Sequence, residues 1–118
     1  MKILIADDDK DIIEFLQDFL EKRGHFIDVA LDGGKASDLI KENSYDLVFL
    51  DHNMPELTGL ELAKLVKKNN PKTKTVMITG YPSMKDFFAK SVGIDEYICK
   101  PCRLEDIKNI VDKYSQKA

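Results

Sequence analysis

Residues 47–50, Leu-Val-Phe-Leu, carry an unbroken apolar run straight into Asp51, and this junction limits the possible folds more than any other stretch of the chain. A strand with no polar alternation has to be covered on both faces, which is what a parallel sheet between two helical layers provides. The residues that follow Asp51 change the local rules. Met54-Pro55 breaks regular structure, and Thr58-Gly59-Leu60-Glu61 has the Ser/Thr-x-x-Glu form of a helix capping box. The unit is therefore strand, acidic tip, loop, helix. Open α/β sheets place their chemistry in the crevice beyond such strand ends.

The same unit repeats along the chain. Residues 2–6 form a short apolar run that ends in Asp7-Asp8-Asp9. Ile12, Ile13, Leu16, Phe19 and Leu20 then recur at helical spacing, with Asp9 as the expected N-cap and Gly24 as the expected residue past the helix end. Residues 26–31 read as a second strand, and Ala36, Leu39 and Ile40 mark a short helix after Asp32-Gly33-Gly34. Residues 45–50 are the third strand. A helix through Leu60, Ala63, Leu65 and Val66 ends before Asn69-Asn70-Pro71, and residues 75–79 form a fourth buried strand. After the Gly80-Tyr81-Pro82 turn, a second capping box at residues 83–86 precedes a helix carrying Met84, Phe87, Phe88 and Val92. Residues 96–99 give the fifth strand, and Leu104, Ile107, Ile110, Val111 and Tyr114 a final amphipathic helix. Five strands alternating with five helices imply a doubly wound α/β fold, because parallel neighbours need crossovers and right-handed ones dominate. The length of 118 residues suits one domain spanning residues 1–118.

Composition removes several function classes. The net charge of −3 comes from dispersed charges with no basic stripe, so direct nucleic-acid binding is not expected. The apolar run after Met1-Lys2 is too short for a signal-peptide core and no stretch reaches membrane-spanning length, so a soluble cytoplasmic protein without membrane insertion is expected. Cys99-Lys100-Pro101-Cys102 is formally a C-x-x-C, but redox pairs of that form open a helix after an early strand, whereas this one closes the last strand. Two cysteines, with His25 and His52 elsewhere, also fall short of the four ligands of a closed zinc site.

In a parallel sheet all C-terminal strand ends share one rim, which should gather Asp7, Asp8, Asp51, Thr79 and Lys100. The flavodoxin-like strand order 2-1-3-4-5 would bring the first and third strands together at the switch point. Three carboxylates would then crowd one another. At ~4 Å and an effective dielectric of ~20, each like-charge pair costs ~4 kcal/mol before screening. Such a cluster holds a proton or recruits a cation, and all-oxygen ligands favour Mg²⁺ or Mn²⁺ over zinc. Singly, each residue has a plainer reading as an N-cap, a strand residue or a solvated charge. Together they form the parts of a phosphoryl-transfer site: a carboxylate nucleophile in Asp51, a hydroxyl, and cations that spread the developing charge.

Asp7-Asp8, the block from Asp51-His52-Asn53-Met54-Pro55 to Gly59, Thr79-Gly80 and Tyr97-Ile98-Cys99-Lys100-Pro101 together resemble the receiver domains of bacterial two-component response regulators, in particular the chemotaxis-type single-domain members. The resemblance covers essentially the whole chain. It implies that Asp51 is the phosphoacceptor, that Asp8 ligates Mg²⁺ directly and Asp7 partly through water, and that Asn53 contributes its backbone carbonyl. It further implies that Thr79 and Lys100 bind the phosphoryl oxygens, that Lys100-Pro101 is a cis peptide, and that Thr79 and Tyr97 form a switch pair. The implied partners are a histidine kinase and a downstream effector or phosphotransfer protein, and the implied role is that of a signalling switch rather than an enzyme.

Thr58, Cys102 and Pro82 depart from the family's commonest residues, and the segment from Thr79 to Gly93 is about one residue short by count of the pattern. Asn53 and Tyr81, each two residues beyond a site residue, are expected to tune phosphoryl lifetime, Asn53 by assisting the attacking water and Tyr81 by blocking it. Two rival classes stay open at this level, an Asp-nucleophile phosphohydrolase and a pseudo-receiver that only binds partners. The absence of a cap insertion weighs against the first, and the intact acidic set against the second.

Overall fold

Five parallel strands lie in the order β2-β1-β3-β4-β5 in the computed structural model, which describes residues 1–52, 54, 57–80 and 93–115. They are β1 (Lys2–Ala6), β2 (Phe26–Ala30), β3 (Leu47–Asp51), β4 (Lys74–Thr79) and β5 (Glu96–Cys99). The helices are α1 (Lys10–Lys22), α2 (Gly33–Glu42), α3 (Gly59–Asn69) and α4 (Leu104–Ser115). The helix expected through Met84 and Val92 lies outside the described residues, as do Asn53 and Tyr81.

Strand periodicity divides the apolar residues between two layers. Ile3, Ile5, Leu47, Phe49, Val76, Ile78 and Ile98 pack with Ile13, Leu16 and Leu20 of α1 and Ile107 and Val111 of α4. On the other face Leu4, Val48, Leu50 and Met77 meet Ala36 and Ile40 of α2 and Leu62, Ala63 and Val66 of α3. β3 is buried along its whole length, with Phe49 fully inside. Each such side chain contributes roughly 1.5–3 kcal/mol by leaving water, so the central strand is fixed by packing on both sides.

Local signals set the helix ends. The Asp9 side chain accepts hydrogen bonds from the Asp11 and Ile12 amides, and Gly24, at φ +91°, takes the left-handed conformation that ends α1. Asp32 caps α2 by accepting from the Lys35 amide at 2.7 Å, which starts that helix at Gly33 rather than after the glycine pair. Thr58 and Glu61 form the reciprocal capping box at the start of α3. Tyr45 falls outside β3 because it is tied elsewhere. Its hydroxyl donates to Asp28 at 2.6 Å, and its carbonyl accepts from the Thr73 hydroxyl.

Two glycines are required by close approaches. A Cβ on Gly33 would run into the backbone N and O of Leu57, and one on Gly59 into the Asp51 carbonyl oxygen and the Met77 sulfur. Both contacts brace the loop that follows the acidic tip of β3.

Candidate functional site

The register of the sheet carries the polar tips to one place. Ala6 pairs with Leu50, so Asp7 emerges beside Asp51, and Thr79 pairs with Cys99, so Lys100 emerges beside Thr79. Backbone bonds continue the ladder past the strand ends, from the Asp7 amide to the Ala30 carbonyl at 3.0 Å, His52 to Ile78 at 2.9 Å and Lys100 to Thr79 at 2.8 Å. The Lys100-Pro101 peptide is cis, as the family pattern implied.

Asp7, Asp51 and Thr79 are almost wholly buried, at 2%, 1% and 1% exposure, while Asp8 is exposed. Asp7, Asp8 and Asp51 each offer a carboxylate oxygen, and these atoms lie within 4.8 Å of one another. Lys100 reaches in from solvent and sets its Nζ 2.9 Å from Asp51 Oδ1. Neither Asp51 oxygen has an aligned hydrogen-bond donor among the described residues. A pocket of about 330 Å³ opens beside the cluster, bounded by Asp7, Asp8, Lys100 and Cys102.

The electrostatics follow from that crowding. Burial pushes the Asp7 carboxyl up to about 6, and the charges of Asp51 and Asp8 add to the rise against the Asp9 amide and Lys100, which oppose it. For Lys100 burial works against the charge, but the close contact with the negative charge of Asp51, with Asp7 and Asp8 behind it, outweighs burial and holds the ammonium above its usual range. Three carboxylates against one ammonium leave the site short of positive charge. The residues present fit a hard divalent cation: the donors are all oxygen, and a buried carboxylate has an oxygen with no hydrogen bond. Asp7, Asp8 and Asp51 are the side chains that would hold it.

Tyr97 pairs with Met77, two residues before Thr79 on the same sheet face, and its ring packs against the α2/α3 layer. The two cysteines are free thiols, and burial pushes Cys102 up to about 11, away from the thiolate a redox centre needs. One neighbour in the site was given no role there by the sequence, which weighed it only against a zinc site and within the family block: His52, whose Nδ1 lies 3.2 Å from the Thr79 hydroxyl. Extending the β3/β4 register by one residue from Asp51↔Ile78 would have found it.

The fold and site define a doubly wound α/β domain whose acidic rim fits a divalent cation beside a buried carboxylate and a lysine. Residues 3–112 match the family model described as the response regulator receiver domain, and the chain belongs to that family. A receiver domain is a phosphorylation-dependent signalling switch of two-component systems. The sequence is 34% identical over 108 residues to the response regulator MprA of Mycobacterium sp. (strain KMS), covering 91% of this chain and 47% of that protein. The chain thus spans about half the length of the curated relatives it matches. A two-component response regulator from Clostridium difficile superposes with a TM-score of 0.89 at 32% identity, over 98% of this chain and 96% of that one. The response regulator TrrA of Thermotoga maritima, solved in complex with Mg²⁺-BeF, gives 0.83 at 33% identity, over 96% and 97% of the two chains. Among the described residues no helix is long and apolar enough to cross a membrane.

Proposed function

We propose that residues 1–118 act as one receiver domain that takes a phosphoryl group onto Asp51 from a histidine kinase, or from a small phosphodonor, and passes the change on to an effector or phosphotransfer protein. The observation that carries this reading is the buried Asp51 carboxylate, grouped with Asp7 and Asp8 and paired to Lys100 at 2.9 Å. An Asp51 oxygen supplies the electron pair for the new O–P bond, while the donor's bond to phosphorus breaks and its electron pair leaves with the donor. Lys100 passes from the Asp51 oxygen to the incoming phosphoryl oxygens, and the Thr79 hydroxyl donates to another. Mg²⁺, or Mn²⁺ in its place, supplies charge compensation for the phosphoryl oxygens when held by Asp7, Asp8, Asp51 and the Asn53 carbonyl.

The domain works as a switch rather than as an enzyme turning over a metabolite. Tyr97 is the aromatic half of the switch, and Asn53 and Tyr81 set how long the phosphoryl group lasts. The domain's place is the cytoplasm, without membrane insertion, and the dispersed charge with no basic stripe supports the lack of direct nucleic-acid contact.

The test is intact-protein mass after incubation with Mg²⁺ and acetyl phosphate. One added phosphoryl group, absent in Asp51→Ala and absent without Mg²⁺, is the expected result. No adduct, with no Mg²⁺ binding, would leave a binding module instead, and steady turnover of small phosphate esters would make the chain a phosphohydrolase.

A further inference from the structure

His52 is placed by the sheet itself. Asp51 pairs with Ile78 across β3 and β4, and the His52 amide donates to the Ile78 carbonyl at 2.9 Å, so the next residue pair in register is His52 and Thr79. Side chains of a strand alternate in direction, which sends His52 and Thr79 to one face while Asp51 points to the other. The half-buried His52 ring meets the almost wholly buried Thr79 hydroxyl, with Nδ1 and Oγ1 3.2 Å apart. The Asp51 oxygens, by contrast, accept no aligned hydrogen bond from Thr79.

We propose that His52 is a positioning residue for the switch, holding the Thr79 hydroxyl away from the phosphoryl site so that the resting conformation is favoured until Asp51 is phosphorylated. The proposal rests on the reading that Thr79 binds a phosphoryl oxygen. It does not depend on the imidazole tautomer, because the hydroxyl oxygen loses the bond to Nδ1 in either tautomer when it moves toward Asp51. The bond is thus a differential contact, present in one state and broken in the other, which is what a population shift requires. Its loss is worth about fivefold in the equilibrium, the size of one neutral hydrogen bond.

The experiment measures the affinity of the whole chain for beryllofluoride in saturating Mg²⁺, with His52→Phe keeping the ring but not Nδ1 and His52→Asn keeping a polar atom near the Nδ1 position. His52→Phe is expected to bind beryllofluoride about fivefold more tightly, His52→Asn to stay close to the parent, and the gain to vanish when Thr79→Ala is added. Weaker or unchanged binding by His52→Phe, or an equal gain in the Thr79→Ala background, overturns the proposal. A second readout needs no variant of His52: its Nδ1 resonance in the parent protein should move on beryllofluoride addition, and an Nδ1 resonance that stays put also overturns it. If the parent binds no beryllofluoride, the phosphoryl-acceptor reading itself has failed, which is a separate result.

Discussion

Asp7 carries a cost that the fold bears for its function. Its carboxyl is buried beside two others and titrates near 6 rather than at 3.8. The folded chain therefore holds a proton on Asp7 over a pH range in which the unfolded chain has lost it, so metal-free stability rises as pH falls from about 6 toward 4. Above that window the penalty is complete, roughly 2–3 kcal/mol at neutral pH. Asp7→Asn keeps an oxygen for the Asp9 amide, which now donates to Asp7 Oδ1 at 2.9 Å, and removes the charge. Denaturant titration without metal should show that variant roughly 2 kcal/mol more stable at pH 7, with a flatter pH dependence and Mg²⁺ affinity lowered at least tenfold. Lys100 is the opposite case, a group whose charge the site strengthens. Lys100→Ala should slow acetyl-phosphate labelling by about 100-fold while Mg²⁺ binding holds or tightens, which rate and metal titrations separate. Asp7, Asp8, Asp51, Thr79 and Lys100 were legible because each stands at the end of an apolar run or just past it. His52 was not, because its meaning comes from a neighbouring strand and not from its own segment.

At the scale of the element, α3 shows which end signals are independent of the site and which serve it. The Thr58–Glu61 capping box was visible in the sequence and is local in its effect. Thr58→Ala should cost ~1 kcal/mol of stability with phosphorylation kinetics unchanged. Gly59, one residue on, looks like an ordinary first helical residue, yet its Cα faces the Asp51 carbonyl and the Met77 sulfur. Gly59→Ala has to displace the acidic tip of β3 or the helix start. It should lose about 1–3 kcal/mol in denaturant melts, as overpacking does, and slow phosphorylation in the same variant. The same limit hid Gly33, whose partner Leu57 sits on a loop 24 residues later. Strand and helix identities come from periodicity within a segment, whereas these contacts depend on how segments meet.

For the whole molecule, strand order is the step that turns five tips into one site. Periodicity alone leaves the order open, and the acidic cluster forms because β1 lies between β2 and β3, with β4 on the far side of β3. The repulsion among Asp7, Asp8 and Asp51 is then a property of the folded state alone, since unfolding scatters the three carboxylates. A cation bound there has no matching site in the unfolded chain, so binding energy becomes folding energy. At Mg²⁺ ten times its dissociation constant the gain is ~1.4 kcal/mol, a rise of roughly 5 °C in melting temperature for a domain of this size. The rise should grow by the same increment for each further tenfold in Mg²⁺ and disappear in Asp8→Asn, whose exposed carboxylate can be removed with little loss of packing. A rise that survives in Asp8→Asn would mean that Mg²⁺ stabilises the chain by general screening of its net negative charge, and sodium chloride at equal ionic strength would then reproduce it. A rise that Mg²⁺ gives and sodium chloride does not ties the stabilisation to the one place where the sheet brings three carboxylates together.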